Sequence, residues 1–327
     1  MARSFIRYQD HNAPRWGELA GAAPKHPDDS VSLYPLTTPF ETTAALVAAL
    51  EAGADLGKST TALTIPASAI LSPVTSDALV LCQGMNYASH AGGDGGIHVR
   101  KKNLLFVKAS STLCGPYDKV IKPAEVQMLD YEIEVGLVMR KALHANDKVT
   151  AENAGEYLAG VVLCNDISAR DTMFGMTYMQ WLRGKSFRTF LPTGPVFYWL
   201  EKNEVADALE HFRCSLAWRD KERQNGVTSD MIFKPVETLG YIAEFMDMKL
   251  GDLLLTGTPG GVIAKGTPTI NKILQDYLLD DEGRYERMVK EAHETVSDFM
   301  QVGDLMTAEM VDERTGAHLG GQYSIVA

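Results

Sequence analysis

The residues with the most usable chemistry lie in Leu129-Asp130-Tyr131-Glu132-Ile133-Glu134-Val135-Gly136-Leu137-Val138-Met139. The alternation reads as a β-strand, in which residues two apart share a face. Asp130, Glu132 and Glu134 then project together, opposite Tyr131, Ile133 and Val135, before the apolar Leu137-Val138-Met139 enters the core. Ranked carboxylates repel one another unless a positive group sits among them. Such a face is either fully solvated, the commoner case, or holds a hard divalent cation.

Three other segments carry chemically competent side chains. Gly84-Met85-Asn86-Tyr87-Ala88-Ser89-His90 runs into a glycine-rich stretch around Asp94, so His90 stands at the lip of a loop suited to a lid. A surface histidine is an equal alternative on these residues alone. Asn165-Asp166-Ile167-Ser168-Ala169-Arg170-Asp171 follows an apolar run, and Lys185 lies in a Gly/Pro-punctuated loop, where a solvated lysine is the plain alternative. Thr256-Gly257-Thr258-Pro259-Gly260-Gly261 offers backbone N–H groups for an oxyanion, without the Gly-Lys-Ser/Thr of a phosphate-binding loop.

These side chains need strands to position them. Ala78–Cys82, Leu104–Lys108 and Gly160–Cys164 read as buried strands, the second ending on a lysine. Phe212–Arg219 and Asp304–Met310 alternate, and Phe5–Tyr8 and Val31–Leu36 are short strands around a polar connector. Helices are expected at Thr42–Gly53, Ala151–Ala159 and Val236–Met246. Asn271–Met300 is charged and helical in pattern, an exposed insertion whose acidic residues face solvent. The expected division is a small N-terminal domain over 1–75 and a larger domain over 76–327, with the helical insertion at about 268–300.

The 327 residues carry a net charge of −11, against non-specific binding to nucleic acid or anionic membranes. The 45% hydrophobic and 22% charged content is that of a globular protein. Four scattered cysteines form no C-x-x-C pair, which favours reduced thiols and a cytoplasmic location. No signal-peptide pattern opens the chain and no apolar run is long enough to span a membrane.

Taken in order, Gly84-Met85-Asn86-Tyr87 with His90, Tyr131-Glu132-Ile133-Glu134, Asn165-to-Asp171, Lys185-Ser186-Phe187, and Gly251-Asp252 with Thr256-Gly257-Thr258-Pro259 resemble the fumarylacetoacetate hydrolase family over residues 78 to 264. The resemblance implies an α+β, mostly β fold, a fumarylacetoacetase-type mixed β-roll with a small N-terminal accessory domain, and commonly a homodimer. It implies Glu132, Glu134 and Asp166 as ligands of Mg²⁺, Mn²⁺ or Ca²⁺, with Asp130 behind them. It also implies His90, Lys185 and Arg170 as catalytic residues, and Tyr87, Gly257, Thr258 and Arg170 as substrate-binding ones.

The activity expected from this is metal-dependent hydrolysis of a C–C bond in a 2-oxo or 1,3-dioxo acid, such as an acylpyruvate, fumarylpyruvate or maleylpyruvate from aromatic-compound catabolism. His90 would activate water, while Lys185 and the N–H groups of the glycine-rich turn would stabilise the oxyanion. Two departures matter: Gly93 stands where relatives carry a glutamate that orients the histidine, with Asp94 adjacent, and Met173 stands where the closest hydrolases carry glutamine. They give weight to an alternative on the same metal site, a decarboxylase, hydratase or isomerase of an oxaloacetate- or hydroxymuconate-type 2-oxo acid, which needs a metal-held enolate but no lid-borne base.

Overall fold

The computed structural model describes residues 3–11, 13–91, 102–296 and 298–327. Long apolar runs become strands buried on both faces: every residue of Ile133–Met139 and Leu158–Asn165 is buried. They lie inside a mixed sheet whose hydrogen-bonded order is Leu63–Pro66, Ser30–Pro35, Ala13–Leu19, Arg3–Asp10, Phe197–Trp199, Leu158–Asn165, Ile133–Met139, Leu253–Leu255, Val80–Gly84 and Leu104–Lys108, with Ile70–Leu71 paired to Arg3–Asp10. Leu253–Leu255 with Val80–Gly84 is its parallel pair, and its other ladders are antiparallel. The sheet passes through the expected boundary at residue 75, because Phe5 pairs with Phe197.

A second, antiparallel sheet has the order Lys221–Val227, Phe212–Trp218, Leu305–Asp312, Ala317–Ile325. Its inner strands alternate buried and half-buried residues, so one face packs on the core. Trp218 on that face meets Tyr131 with ring centroids 5.9 Å apart. The strand-dominated α+β fold therefore brings the second sheet over the carboxylate segment.

Three local readings differ from the sequence expectation. The polar connector contains a strand, Ala13–Leu19, because hairpin pairing with Arg3–Asp10 and burial of Trp16 outweigh its Pro and charged residues. The helix expected over Ala151–Ala159 is a single turn, Ala154–Tyr157, since Leu158 and Ala159 are drawn into the central sheet. The carboxylate run is two strands, Leu129–Asp130 and Ile133–Met139, with Tyr131 and Glu132 between them.

The insertion forms two helices, Pro268–Asp276 capped by Thr267 and Asp281–Thr295 capped by Asp280. Among the described residues no helix is long and apolar enough to cross a membrane. The four cysteines are unbridged and buried.

Candidate metal centre

The break in the carboxylate run shapes the site. Leu129–Asp130 pairs with Ser168–Ala169, whereas Ile133–Met139 pairs with Leu158–Asn165. Between these ladders the Glu132 N–H donates to Asn165 Oδ1 at 3.0 Å, and the Asp166 N–H donates to the Glu132 carbonyl at 2.7 Å. Two chain segments are thus knitted where their acidic side chains emerge. One oxygen each from Glu132, Glu134 and Asp166 lies within 4.8 Å of the others, and all three residues are buried. The solvated-face alternative does not describe this arrangement.

Like charges at that spacing repel by roughly 3 kcal/mol per pair at an effective dielectric of about 20, so the cluster needs cations. Lys185 Nζ donates to Glu132 Oε2 and Asp166 Oδ2, both at 2.6 Å. Lys108 Nζ donates to Asp166 Oδ1 at 2.6 Å and to the Ile167 carbonyl at 3.0 Å. Arg170 reaches Glu132 Oε1 at 2.5 Å through one terminal nitrogen and Asp130 Oδ2 at 2.9 Å through Nε. With Asp130 counted, four buried carboxylates meet three buried cations, leaving one uncompensated negative charge in a water-poor site.

That excess appears on Glu134. Burial, followed by the charges of Asp166 and Glu132, pushes its carboxyl well above the usual carboxylate range. Burial alone would lower the Lys185 ammonium, but Asp166 and Glu132 outweigh it and hold its pKa above the ordinary lysine value. For Lys108 burial wins over Asp166, and neighbouring Lys185 adds to it, so its pKa is lowered. The difference follows from partner number: Lys185 bridges two carboxylates and Lys108 touches one.

Asp130 does not join the other acids. Its Oδ1 accepts from the N–H groups of Tyr131 and Ile263, both at 2.9 Å, and its Oδ2 accepts from Ala264 N–H at 3.1 Å besides Arg170. It ties Arg170 to the segment after the glycine-rich turn.

The turn itself is organised differently from a free oxyanion cradle. Gly257 N–H donates to Glu134 Oε2 at 2.7 Å. Its φ of +87° and a would-be Cβ 2.8 Å from Asn86 Cβ exclude other side chains there. The Thr258 hydroxyl donates to the Ile133 carbonyl at 2.8 Å and accepts from Gln224 Nε2 at 2.7 Å. Gln224 also accepts from Ile133 N–H at 3.0 Å and donates to the Pro259 carbonyl at 2.8 Å, fastening the turn to the carboxylate strand.

Asn86 anchors the segment before the expected lid. Its side chain donates to the carbonyls of Thr256 and Phe233 and accepts from Phe233 N–H at 2.8 Å. The neighbouring Tyr87 is buried, and Ser89 Oγ accepts from Gly260 N–H at 3.0 Å. The short helix Ala88–Ala91 thus begins on the glycine-rich turn. The side chain of His90, and Gly93 and Asp94 altogether, lie outside the described residues. Met173 is buried, with its Cβ 2.5 Å from where a Cβ on Gly184 would stand, so it packs beneath the helix that carries Lys185.

Glu132, Glu134, Asp166, Lys185 and Arg170 are therefore brought together, with Gly257 and Thr258 on the adjoining turn and Tyr87 buried in the segment that Asn86 fastens to it. Lys108, Gln224 and Asn86 belong to the same network without having been singled out. Lys108 left a usable sign, a lysine ending an apolar strand. The roles of Gln224 and Asn86 depend on which strands cross. Three carboxylate donors form a hard, all-oxygen set of the kind that suits Mg²⁺, Mn²⁺ or Ca²⁺, and the uncompensated charge is of the sign such an ion would neutralise.

A family profile described as fumarylacetoacetate (FAA) hydrolase C-terminal matches residues 79–321. The chain belongs to the fumarylacetoacetate hydrolase family. Its relatives include a protein of Bos taurus named oxaloacetate tautomerase FAHD2A, mitochondrial, 37% identical over 192 residues, which are 59% of this chain and 59% of the relative. The Homo sapiens protein of that name is 36% identical over 193 residues, with the same shares. The alignments thus span less than two thirds of these relatives. Among solved structures, the fumarylacetoacetate hydrolase of Exiguobacterium antarcticum matches with a TM-score of 0.71 at 24% identity, covering 99% of both chains. A probable 2-hydroxyhepta-2,4-diene-1,7-dioate isomerase from Mycobacterium abscessus matches at 0.69 and 23%, covering 100% of this chain and 98% of the other. These structural matches establish the shared fold.

Proposed function

We propose that this chain is a divalent-metal-dependent enzyme that interconverts keto and enol forms of a small 2-oxo acid of oxaloacetate or hydroxymuconate type. The reading rests on one observation: Glu132, Glu134 and Asp166 converge within 4.8 Å in a buried pocket of charge, with the Lys185 ammonium on two of them. The names of the sequence relatives support this reaction class over the C–C hydrolysis that the motifs first suggest. A bound Mg²⁺ or Mn²⁺ would supply Lewis-acid polarisation of the 2-oxo oxygen.

The chain supplies the remaining electrostatics. Lys185 stays protonated between Glu132 and Asp166 and presents positive charge where negative charge develops on the enolate oxygen. Arg170 orients Glu132, and Lys108 orients Asp166. Gly257 N–H fixes Glu134. In tautomerisation a C3–H bond breaks, an O–H bond forms, and no redox partner is needed. Water can carry that proton, so His90 serves as an auxiliary proton acceptor. The substrate carboxylate would lie against Gly257 and Thr258 on the turn and Tyr87 from the preceding segment, as the family resemblance implies. Family resemblance supports a homodimer.

The deciding experiment follows the ultraviolet absorbance of enol oxaloacetate with purified protein and Mg²⁺ or Mn²⁺. Expected is a protein- and metal-dependent acceleration that Glu132→Ala and Asp166→Ala abolish while leaving the far-ultraviolet circular dichroism intact. Turnover of acylpyruvates without any effect on oxaloacetate or hydroxymuconates would sink the reading in favour of hydrolysis.

A further inference from the structure

The two-helix insertion Pro268–Thr295 does not simply decorate the surface. Although most of its acidic residues are exposed, Arg284, Met288 and Ala292 are buried on one side of the Asp281–Thr295 helix. That side packs on the Arg170–Gly175 helix, the element that begins with the arginine gripping Glu132. Three contacts define the junction. The Tyr285 hydroxyl lies 3.1 Å from Asp171 Oδ2 and 3.3 Å from the Glu125 carbonyl, and accepts from Gln127 Nε2 at 3.2 Å. Arg284 Nε donates to the Phe174 carbonyl at 2.7 Å, near the C-terminus of the arginine-bearing helix. The Tyr285 ring stands 3.0 Å from where a Cβ on Gly175 would be, a close approach that a side chain there would crowd.

The Asp171 oxygen that faces Tyr285 is also held by backbone. Asp171 Oδ2 accepts from Gln127 N–H at 2.6 Å, while Arg170 N–H donates to the Met128 carbonyl at 2.9 Å. Tyr285 thus closes a ring through Asp171, Gln127 and Glu125, two residues from Leu129–Asp130 and beside Arg170. Beneath the same helix, Met173 abuts Gly184, which precedes Lys185. Both cations that hold Glu132 sit on helices that the insertion backs directly or through one layer.

We propose that the insertion is a brace for the acidic centre, and that Tyr285, with Arg284, is a positioning residue for Arg170. This rests on the reading that Glu132, Glu134 and Asp166 hold a divalent cation. Tyr285 contacts Asp171 rather than Glu132, Glu134 or Asp166, and acts through the Asp171–Arg170 end of the helix. Residues that orient ligands typically change metal affinity by about 10- to 100-fold when replaced, and Tyr285, one contact further out, is expected to change it by roughly 3- to 10-fold.

The test measures Mn²⁺ dissociation constants by calorimetry or electron paramagnetic resonance on the full chain, for the parent protein, Tyr285→Phe, Arg170→Lys and the double variant. Tyr285→Phe removes one hydroxyl and keeps the ring against Gly175. Expected is a roughly 3- to 10-fold weaker Mn²⁺ affinity in the parent background and no further loss in the Arg170→Lys background, because coupled residues give non-additive effects. An unchanged or tighter affinity in Tyr285→Phe, with or without a fall in Tm, overturns the proposal, as does an equal loss in both backgrounds. Absence of Mn²⁺ binding by the parent protein overturns the metal reading first and this inference with it.

Discussion

Lys108 donates to Asp166 at 2.6 Å with neither side chain exposed to solvent. A lysine in that position costs desolvation that Asp166 and the Ile167 carbonyl offset only in part, and burial does lower its pKa. Its charge is nonetheless useful, since it holds one oxygen of Asp166 while Lys185 holds the other.

Lys108→Met is therefore expected to destabilise the metal-free protein by roughly 3–5 kcal/mol, the usual result of leaving one partner of a buried pair uncompensated. Saturating Mg²⁺ is expected to restore part of that loss, because the ion takes over neutralisation of Asp166. Urea unfolding with and without Mg²⁺ measures both. A loss of equal size in the two conditions would disconnect Lys108 from the metal centre.

The pH dependence follows from Glu134, whose carboxyl is raised by burial and by Asp166 and Glu132. Above the ordinary carboxyl value near 4.3, the metal-free folded state keeps a proton that the unfolded state has lost. Its stability contribution then falls as pH rises through the folded value. A divalent ion requires the carboxylate and displaces that proton, so Mg²⁺ affinity and the Tm increase on adding Mg²⁺ should grow with pH. Glu134→Gln removes the titrating group. Its metal-free Tm, relative to the parent, is expected to rise as pH increases above the ordinary carboxyl range, while Mg²⁺ affinity drops. A parent-minus-variant difference that is flat above that range would show that Glu134 is not the strained acid.

How much of this was legible beforehand depended on whether a residue's role is local. Glu132, Glu134 and Asp166 could be named because they stand in motifs that resemble the family's, and strand alternation and strand ends agreed with that choice without singling it out. The interruption at Tyr131–Glu132 could not be foreseen, because it arises where Leu129–Asp130 and Ile133–Met139 take different partners. The same limit hid the Gln224 bridge, which exists only because Lys221–Val227 in one sheet passes the Gly257 turn of the other. Helices in the insertion follow from caps and periodicity. The inward turn of Arg284 and Tyr285 does not, since a charged residue and a tyrosine at those spacings read equally well as solvent-facing.

His90→Ala separates the two reaction classes that the family fold can host. Hydrolysis must deprotonate an attacking water, and loss of a general base costs about 10²- to 10⁴-fold. On the proposed reading, keto–enol exchange would draw its advantage from cations around the developing enolate, chiefly Lys185, and solvent would carry the proton. The expected result is that His90→Ala retains metal-dependent oxaloacetate tautomerisation within roughly one order of magnitude of the parent, well short of the general-base loss. Lys185→Met, by contrast, should lose most of it, at roughly 10²-fold or more for a preorganised charge of this kind. Stopped-flow ultraviolet absorbance on both variants at saturating Mn²⁺ makes the comparison. If His90→Ala proved as damaging as Lys185→Met, the histidine would be an obligate base, and Lys185 would lose its place as the leading contributor to turnover.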